Sequence, residues 1–147
     1  MHISEYLCPA CTIADLKART KEEVLLELAD AATRAHVDKD TAHAALLERE
    51  RLGTTAVGSG YAIPHGKIAG LETMTLVFAR SIHGVNFDAP DGRPCHLFFM
   101  VLAPEGAAGL HLGLLGSIAR LAKDAVFTSR LMQAKTAEEL ELFLAGA

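Results

Sequence analysis

The sequence Gly58-Ser59-Gly60-Tyr61-Ala62-Ile63-Pro64-His65-Gly66 sets one imidazole beside a proline in a segment flanked by glycines. Pro64 fixes its own φ and pushes Ile63 towards an extended conformation. Gly58, Gly60 and Gly66 permit positive φ and close approach of other groups. His65 is therefore held and presented, as a histidine that acts as nucleophile, acid–base group or ligand must be. A bare Pro-His-Gly is also an ordinary turn, so the assignment depends on other residues. Two are notable: Arg49, near the end of a helical pattern, and His111, near the start of another. Cys8-Pro9-Ala10-Cys11 has the spacing of a thiol redox pair or half a zinc site. A structural zinc needs four ligands, and the only other thiol is Cys95, beside His96. A redox pair is expected to follow a strand and open a helix, whereas this one precedes a strand-like run. Its role stays open, with the weight against zinc or redox chemistry.

The elements that must position these residues follow from periodicity and capping. Thr12 to Ala18 reads as a short strand. Thr20-Lys21-Glu22-Glu23 reads as a capping box opening a helix of about four turns, with Val24, Leu28, Ala31 and Ala35 on its buried face. Asp38 reads as the N-cap of a second helix from Lys39 to about Leu52, stopped by Gly53. Its apolar stripe is Ala42, Ala45, Leu46 and Leu52. Arg49 falls on that stripe, while Glu48, Glu50 and Arg51 fall off it. An inward-leaning guanidinium needs a carboxylate, carbonyls or a bound anion, unless it snorkels at the helix end.

After the His65 turn, Thr73 to Ser81 reads as a strand, and Asp91-Gly92 marks a turn before the apolar run from Cys95 to Leu102. Such a run suits a strand covered on both faces. A helix from about Leu110 to Lys123 places Leu114, Leu115, Ile118, Ala122 and His111 on one face. Thr136-Ala137-Glu138-Glu139 opens a last helix ending before Gly146. This alternation predicts a single α/β domain over residues 1–147, with a mixed β-sheet sandwiched between α-helices.

Composition narrows the function. A formal charge of −4 and no Lys/Arg cluster argue against nucleic acid, whose binding needs a basic face. Six Phe, two Tyr and no Trp offer no platform for stacking bases or sugars. No apolar run approaches the ~20 residues that span a bilayer, so direct membrane insertion is not expected. The start lacks the basic and apolar regions of a secretory signal, which makes the cytoplasm the expected location.

Arg49-Glu50-Arg51-Leu52-Gly53, the Gly58-to-Gly66 run and His111-Leu112-Gly113-Leu114-Leu115 occur in that order. Together they resemble motifs of the phosphotransferase-system enzyme IIA family of fructose, mannitol and nitrogen-regulatory type, over nearly the whole chain. The resemblance implies that His65 is transiently phosphorylated, as tele-phosphohistidine, by a histidine phosphocarrier protein. It also implies that Arg49 and His111 assist, with no cofactor and no metal. Gly58 and Gly60 are candidates for a phosphate cradle through their backbone N–H groups. His2, His36, His43, His83 and His96 match no family motif and read as solvated or packed.

Two outputs fit such a carrier. One is a nitrogen or metabolic regulator whose phosphorylation state controls partner binding, which the absence of a fused IIB or IIC domain favours. The other is a sugar-transport subunit passing phosphate to a separate IIB domain. A more remote alternative is a metal-dependent hydrolase with His65 and His111 as ligands, for which no His-Glu-x-x-His pattern is present.

Overall fold

The computed structural model describes residues 1–147. Capping residues set the helix starts. In α1 (Lys21–Ala31) the Glu23 N–H donates to the Thr20 hydroxyl at 3.2 Å, and the Glu23 carboxylate accepts from the Thr20 N–H at 3.2 Å. The fourth expected turn tightens into a 3-10 segment, Ala32–Ala35, which ends at His36 in a left-handed conformation. Asp38 caps α2 (Lys39–Glu50) by accepting from the Thr41 N–H at 3.0 Å. Three further helices follow, α3 (Ala108–Leu121), α4 (Ala125–Gln133) and α5 (Ala137–Leu144). No expected element corresponds to α4, which Asp124 caps through the Val126 and Phe127 N–H groups. Thr136 caps α5, and the Glu139 carboxylate reaches past the cap to the Lys135 N–H at 2.8 Å.

The five strands are β1 (Ala56–Gly58), β2 (Tyr61–Ala62), β3 (His65–Ile68), β4 (Thr75–Val85) and β5 (Cys95–Pro104). β5 is central. It pairs antiparallel with β4 on one side and parallel with β2 and β3 on the other. Phe98, Met100 and Leu102 face a core shared with α1 and α2. Leu97, Phe99, Val101 and Ala103 face a second core shared with α3, α4 and α5. The expected α/β sandwich is thus the observed one, and both-sided burial accounts for the continuous apolar run. No helix is long and apolar enough to cross a membrane.

Thr12 to Ala18 departs from the expected strand. It runs along the outer edge of β4 with an isolated parallel bridge, Ile13 to Ala79, and bonds from Ile13 N to Phe78 O and from Leu16 N to Arg80 O. Beyond Leu16 the ladder gives way to a side-chain acceptor. The Lys17 and Ala18 N–H groups donate to the Glu27 carboxylate of α1.

Candidate functional site

His65 owes its position to an interrupted strand. Tyr61 and Ala62 of β2 face Leu97 and Phe98, and His65 of β3 faces Val101 in the same register, so β2 and β3 are one run broken at Ile63-Pro64. Pro64 has no N–H to give the ladder, yet its carbonyl accepts from Val101 N at 2.9 Å. The Ile63 N–H turns instead to the Thr55 carbonyl at 3.0 Å. The Ile63 carbonyl is paired with the His65 ring, 2.7 Å from Nδ1. A carbonyl only accepts, so Nδ1 carries the proton, and in the neutral ring Nε2 keeps its lone pair. The His65 pKa lies below its ordinary value chiefly because the ring is buried. The Ile63 bond opposes that shift, the nearby Arg49 charge adds to it, and Glu50 opposes it.

Gly66 brings in the arginine. A Cβ at this position would lie 2.9 Å from the Ala45 Cβ and 3.0 Å from the Ala45 carbonyl carbon. The α2 backbone therefore packs directly on β3, and Arg49, one turn beyond Ala45, reaches the same cleft as His65. The use of Gly66 is close packing; among the motif glycines, positive φ belongs to Gly58 and Gly60. Arg49 donates through Nη1 to the Gly53 carbonyl at 3.0 Å, which steadies the guanidinium at the helix end.

His111, in the first turn of α3, is buried and lies edge-on to His65, with ring centroids 5.3 Å apart and planes at 79°. Its Nε2 is buried without a hydrogen-bond partner in the protein. Burial, then the His65 and Lys67 charges, lower its pKa as well. The cleft has a volume of about 530 Å³, and its walls include His65, His111, Arg49, Lys67, Glu48 and Glu105. A second hollow of about 320 Å³ shares His65 and Arg49 with the first and is lined by Val57, Ile63 and Leu115. No group of three or more His, Cys, Asp or Glu is placed to hold a metal ion.

Arg49, His65 and His111 thus converge, and two other candidates do not join them. Gly58 and Gly60 have positive φ of 93° and 82°, with Ser59 at 57° between them, and form the tight β1–β2 turn at the far end of β2. Neither lines the cleft. The Ser59 N–H donates to the Asp91 carboxylate, and the Gly60 carbonyl accepts from the His96 and Leu97 N–H groups.

Two residues expected on the second helix reverse their placement. Leu52 is 83% exposed and Glu50 only 9%. The helix ends at Glu50, so Leu52 leaves its stripe and lines the cleft. Glu50 turns inward because partners meet it there. Its carboxylate accepts from the Thr55 N–H at 3.1 Å and from the Thr55 hydroxyl, and pairs with Lys21 at 2.8 Å. Since the Thr55 carbonyl holds Ile63, and the Ile63 carbonyl holds His65, Glu50 anchors the chain of bonds that orients the imidazole. Lys67, which the sequence patterns leave unassigned, lines the same cleft. Strand alternation, which puts residues two apart on one face, places it beside His65.

Residues 5–146 match the family model described as "Phosphoenolpyruvate-dependent sugar phosphotransferase system, EIIA 2". The chain is 40% identical over 146 residues to a nitrogen regulatory protein of Bradyrhizobium diazoefficiens, covering 99% of this chain and 95% of that one. It is also 40% identical over 129 residues to the fructose-specific EIIA component of Haloferax volcanii, covering 86% and 83%. The crystal structure of the nitrogen regulatory protein IIA-Ntr from Neisseria meningitidis superimposes with a TM-score of 0.89 at 34% identity, covering 97% and 98%. With a match from residue 5 to residue 146, the chain belongs to the EIIA 2 family of the phosphoenolpyruvate-dependent sugar phosphotransferase system, a family of phosphotransfer components.

Proposed function

We propose that His65 accepts a phosphoryl group on Nε2 from a histidine phosphocarrier protein, and that the phosphorylated protein acts as a regulator of partner proteins. The observation that carries this reading is the bond between His65 Nδ1–H and the Ile63 carbonyl, which leaves Nε2 as the nucleophilic nitrogen. The Nε2 lone pair attacks phosphorus as the bond to the donor's leaving nitrogen breaks, and the proton stays on Nδ1, hydrogen-bonded to the Ile63 carbonyl. Forming a covalent intermediate divides the overall transfer into two steps.

Phosphoryl transfer asks a protein for alignment and charge stabilisation. Arg49 has donors beyond the one held by Gly53, His111 offers Nε2, and Lys67 adds positive charge along the same strand face. Exposed apolar side chains surround these groups. Leu52 and Val57 line the two hollows, and Leu110 and Leu112 flank His111. Such a collar suits docking of a protein donor or acceptor.

Similarity to a nitrogen regulatory protein over 99% of the chain supports the regulatory output. Equal identity to a fructose EIIA component, over a shorter span, supports a second reading in which the phosphoryl group passes to a IIB domain. Incubation with phosphoenolpyruvate and the general phosphotransferase components, read by intact mass, tests the carrier step. One acid-labile, base-stable phosphoryl group is expected, and none on His65→Ala. Normal labelling of His65→Ala refutes the assignment. A pull-down comparing phosphorylated protein with His65→Ala separates the outputs. Different partners support regulation, whereas identical partners together with transfer to a sugar-specific IIB domain support transport.

A further inference from the structure

Cys8 and Cys11 are bonded to each other as a disulfide, with their Cα atoms 5.4 Å apart. The bond sits where the N-terminal segment follows the outer edge of β4. Leu7 bridges Leu76 and Ile13 bridges Ala79, so the segment uses more residues between the two bridges than β4 does. The surplus loops out as the short 3-10 turn Pro9–Cys11, and the sulfurs close the base of that loop. Backbone bonds already hold the turn. Cys11 N donates to Cys8 O at 3.0 Å, Thr12 N to Pro9 O at 3.1 Å and Cys8 N to Leu76 O at 2.9 Å. The thiols are thus brought together by the main chain.

Two features distinguish this bond from a structural staple. It closes a loop of sequence separation 3, and the entropic stabilisation a disulfide gives grows with loop length, so a loop this short gains little. The two residues also differ in exposure. Cys8 is partly exposed, between Leu7 and the exposed Pro9, while Cys11 is fully buried in the core shared with α1 and α2, its turn packed on the Ala32–Ala35 segment. An accessible first cysteine and a shielded second one are the arrangement that thiol–disulfide exchange requires, with one sulfur to meet an outside reagent and one to resolve the mixed disulfide.

We propose that Cys8 and Cys11 form a reversible dithiol–disulfide site that exchanges with low-molecular-weight thiols and disulfides through Cys8. In the oxidising direction the Cys8 thiolate attacks a small disulfide RSSR, forming Cys8–S–S–R and releasing one RSH. The Cys11 thiolate then attacks the Cys8 sulfur and releases the second RSH. Two electrons and two protons pass from the protein dithiol to RSSR, and one protein disulfide forms. The reverse sequence, begun by a small thiol at the Cys8 sulfur, restores both thiols. The site lies beyond β4, at the opposite edge of the sheet from β3 and His65, and it does not rest on the phosphoryl-transfer reading. Cys95, fully buried with its thiol pushed up to about 12 chiefly by desolvation, serves as an internal control.

The test equilibrates folded protein with buffers of varied reduced-to-oxidised glutathione ratio, alkylates, and maps the adducts by mass spectrometry. Cys8 and Cys11 are expected to gain and lose alkylation together and reversibly as the ratio changes, with Cys95 modified only after unfolding. Cys11→Ser is expected to stop at a glutathione adduct on Cys8. Cys8→Ser should form its adduct on Cys11 roughly ten-fold more slowly or worse. Circular dichroism confirms that both variants are folded, and the double Cys→Ser protein is expected to keep labelling at His65. The proposal is overturned if the wild-type pair stays fully alkylated, or fully protected, at every ratio. It is equally overturned if Cys8→Ser reacts as fast as Cys11→Ser.

Discussion

Two arginines mark two regions built for different ends. Arg80 is 2% exposed, and its guanidinium donates to three carbonyls, Ala14 at 2.9 Å, Leu131 at 2.7 Å and Ala134 at 2.6 Å. It ties the N-terminal segment, β4 and the C-terminal end of α4 into one seam, where a cation also meets the negative end of the helix dipole. Arg49 is half-buried and bonds one carbonyl, Gly53, while lining the cleft beside His65. A guanidinium with several donors committed holds structure. One with a single donor committed, next to an imidazole whose Nε2 keeps its lone pair, is available to a charged group that arrives later.

Substitution at Arg49 should give the largest effect. Arg49→Lys keeps the charge and loses the planar fork, so phosphoryl transfer to His65 should fall by about 10²–10³ while the melting curve stays in place. Rapid-quench labelling checks the rate, and wild-type kinetics would remove Arg49 from the site. Arg80→Leu should do the reverse. Leaving three carbonyls short of a donor should cost about 3 kcal/mol of stability in a urea titration, with labelling normal wherever the protein is folded.

The convergence of Arg49, His65 and His111 on one cleft was legible in the sequence because the signals are local, namely proline and glycine around one residue and helical spacing around the other two. The inward turn of Glu50 was not, because its partners Lys21 and Thr55 come from outside α2 and helical spacing put it on the wet side. Leu52 was misplaced because periodicity does not show that a helix stops two residues earlier. The positive φ at Gly58 and Gly60 was legible from residue type, whereas their distance from the cleft depended on strand pairing. The closing of Cys8 on Cys11 was hidden because a 3-10 turn this short has no periodicity.

A smaller effect sharpens the link between α2 and β3. Gly66→Ala places a Cβ against the Ala45 backbone, which cannot yield as a side-chain tip would. We expect a loss of about 1–3 kcal/mol in stability and a shift of Arg49 that slows transfer by roughly ten-fold. Full activity in a stable Gly66→Ala protein would mean that α2 has room to move.

The pH dependence gives the smallest effect. His65 and His111 both have pKa values below the ordinary 6.5, chiefly through burial. The unfolded chain therefore binds protons at a higher pH than the folded one. Each ring's contribution to stability is complete above 6.5 and is lost as pH falls through the lowered folded value. The urea midpoint should decline below about pH 6.5, less so in His65→Ala, and wild-type transfer should persist somewhat below that pH before protonation of Nε2 stops it. An equal decline in both proteins would assign the loss to other groups.

The most direct measurement is nitrogen NMR of the histidine rings in isotope-labelled protein, before and after phosphorylation. Unphosphorylated His65 is expected to carry its proton on Nδ1, and the phosphorus–nitrogen coupling is then expected at Nε2 of the same ring. A proton on Nε2 beforehand, or phosphorus on Nδ1 or on another histidine afterwards, would contradict Nε2 as the accepting nitrogen.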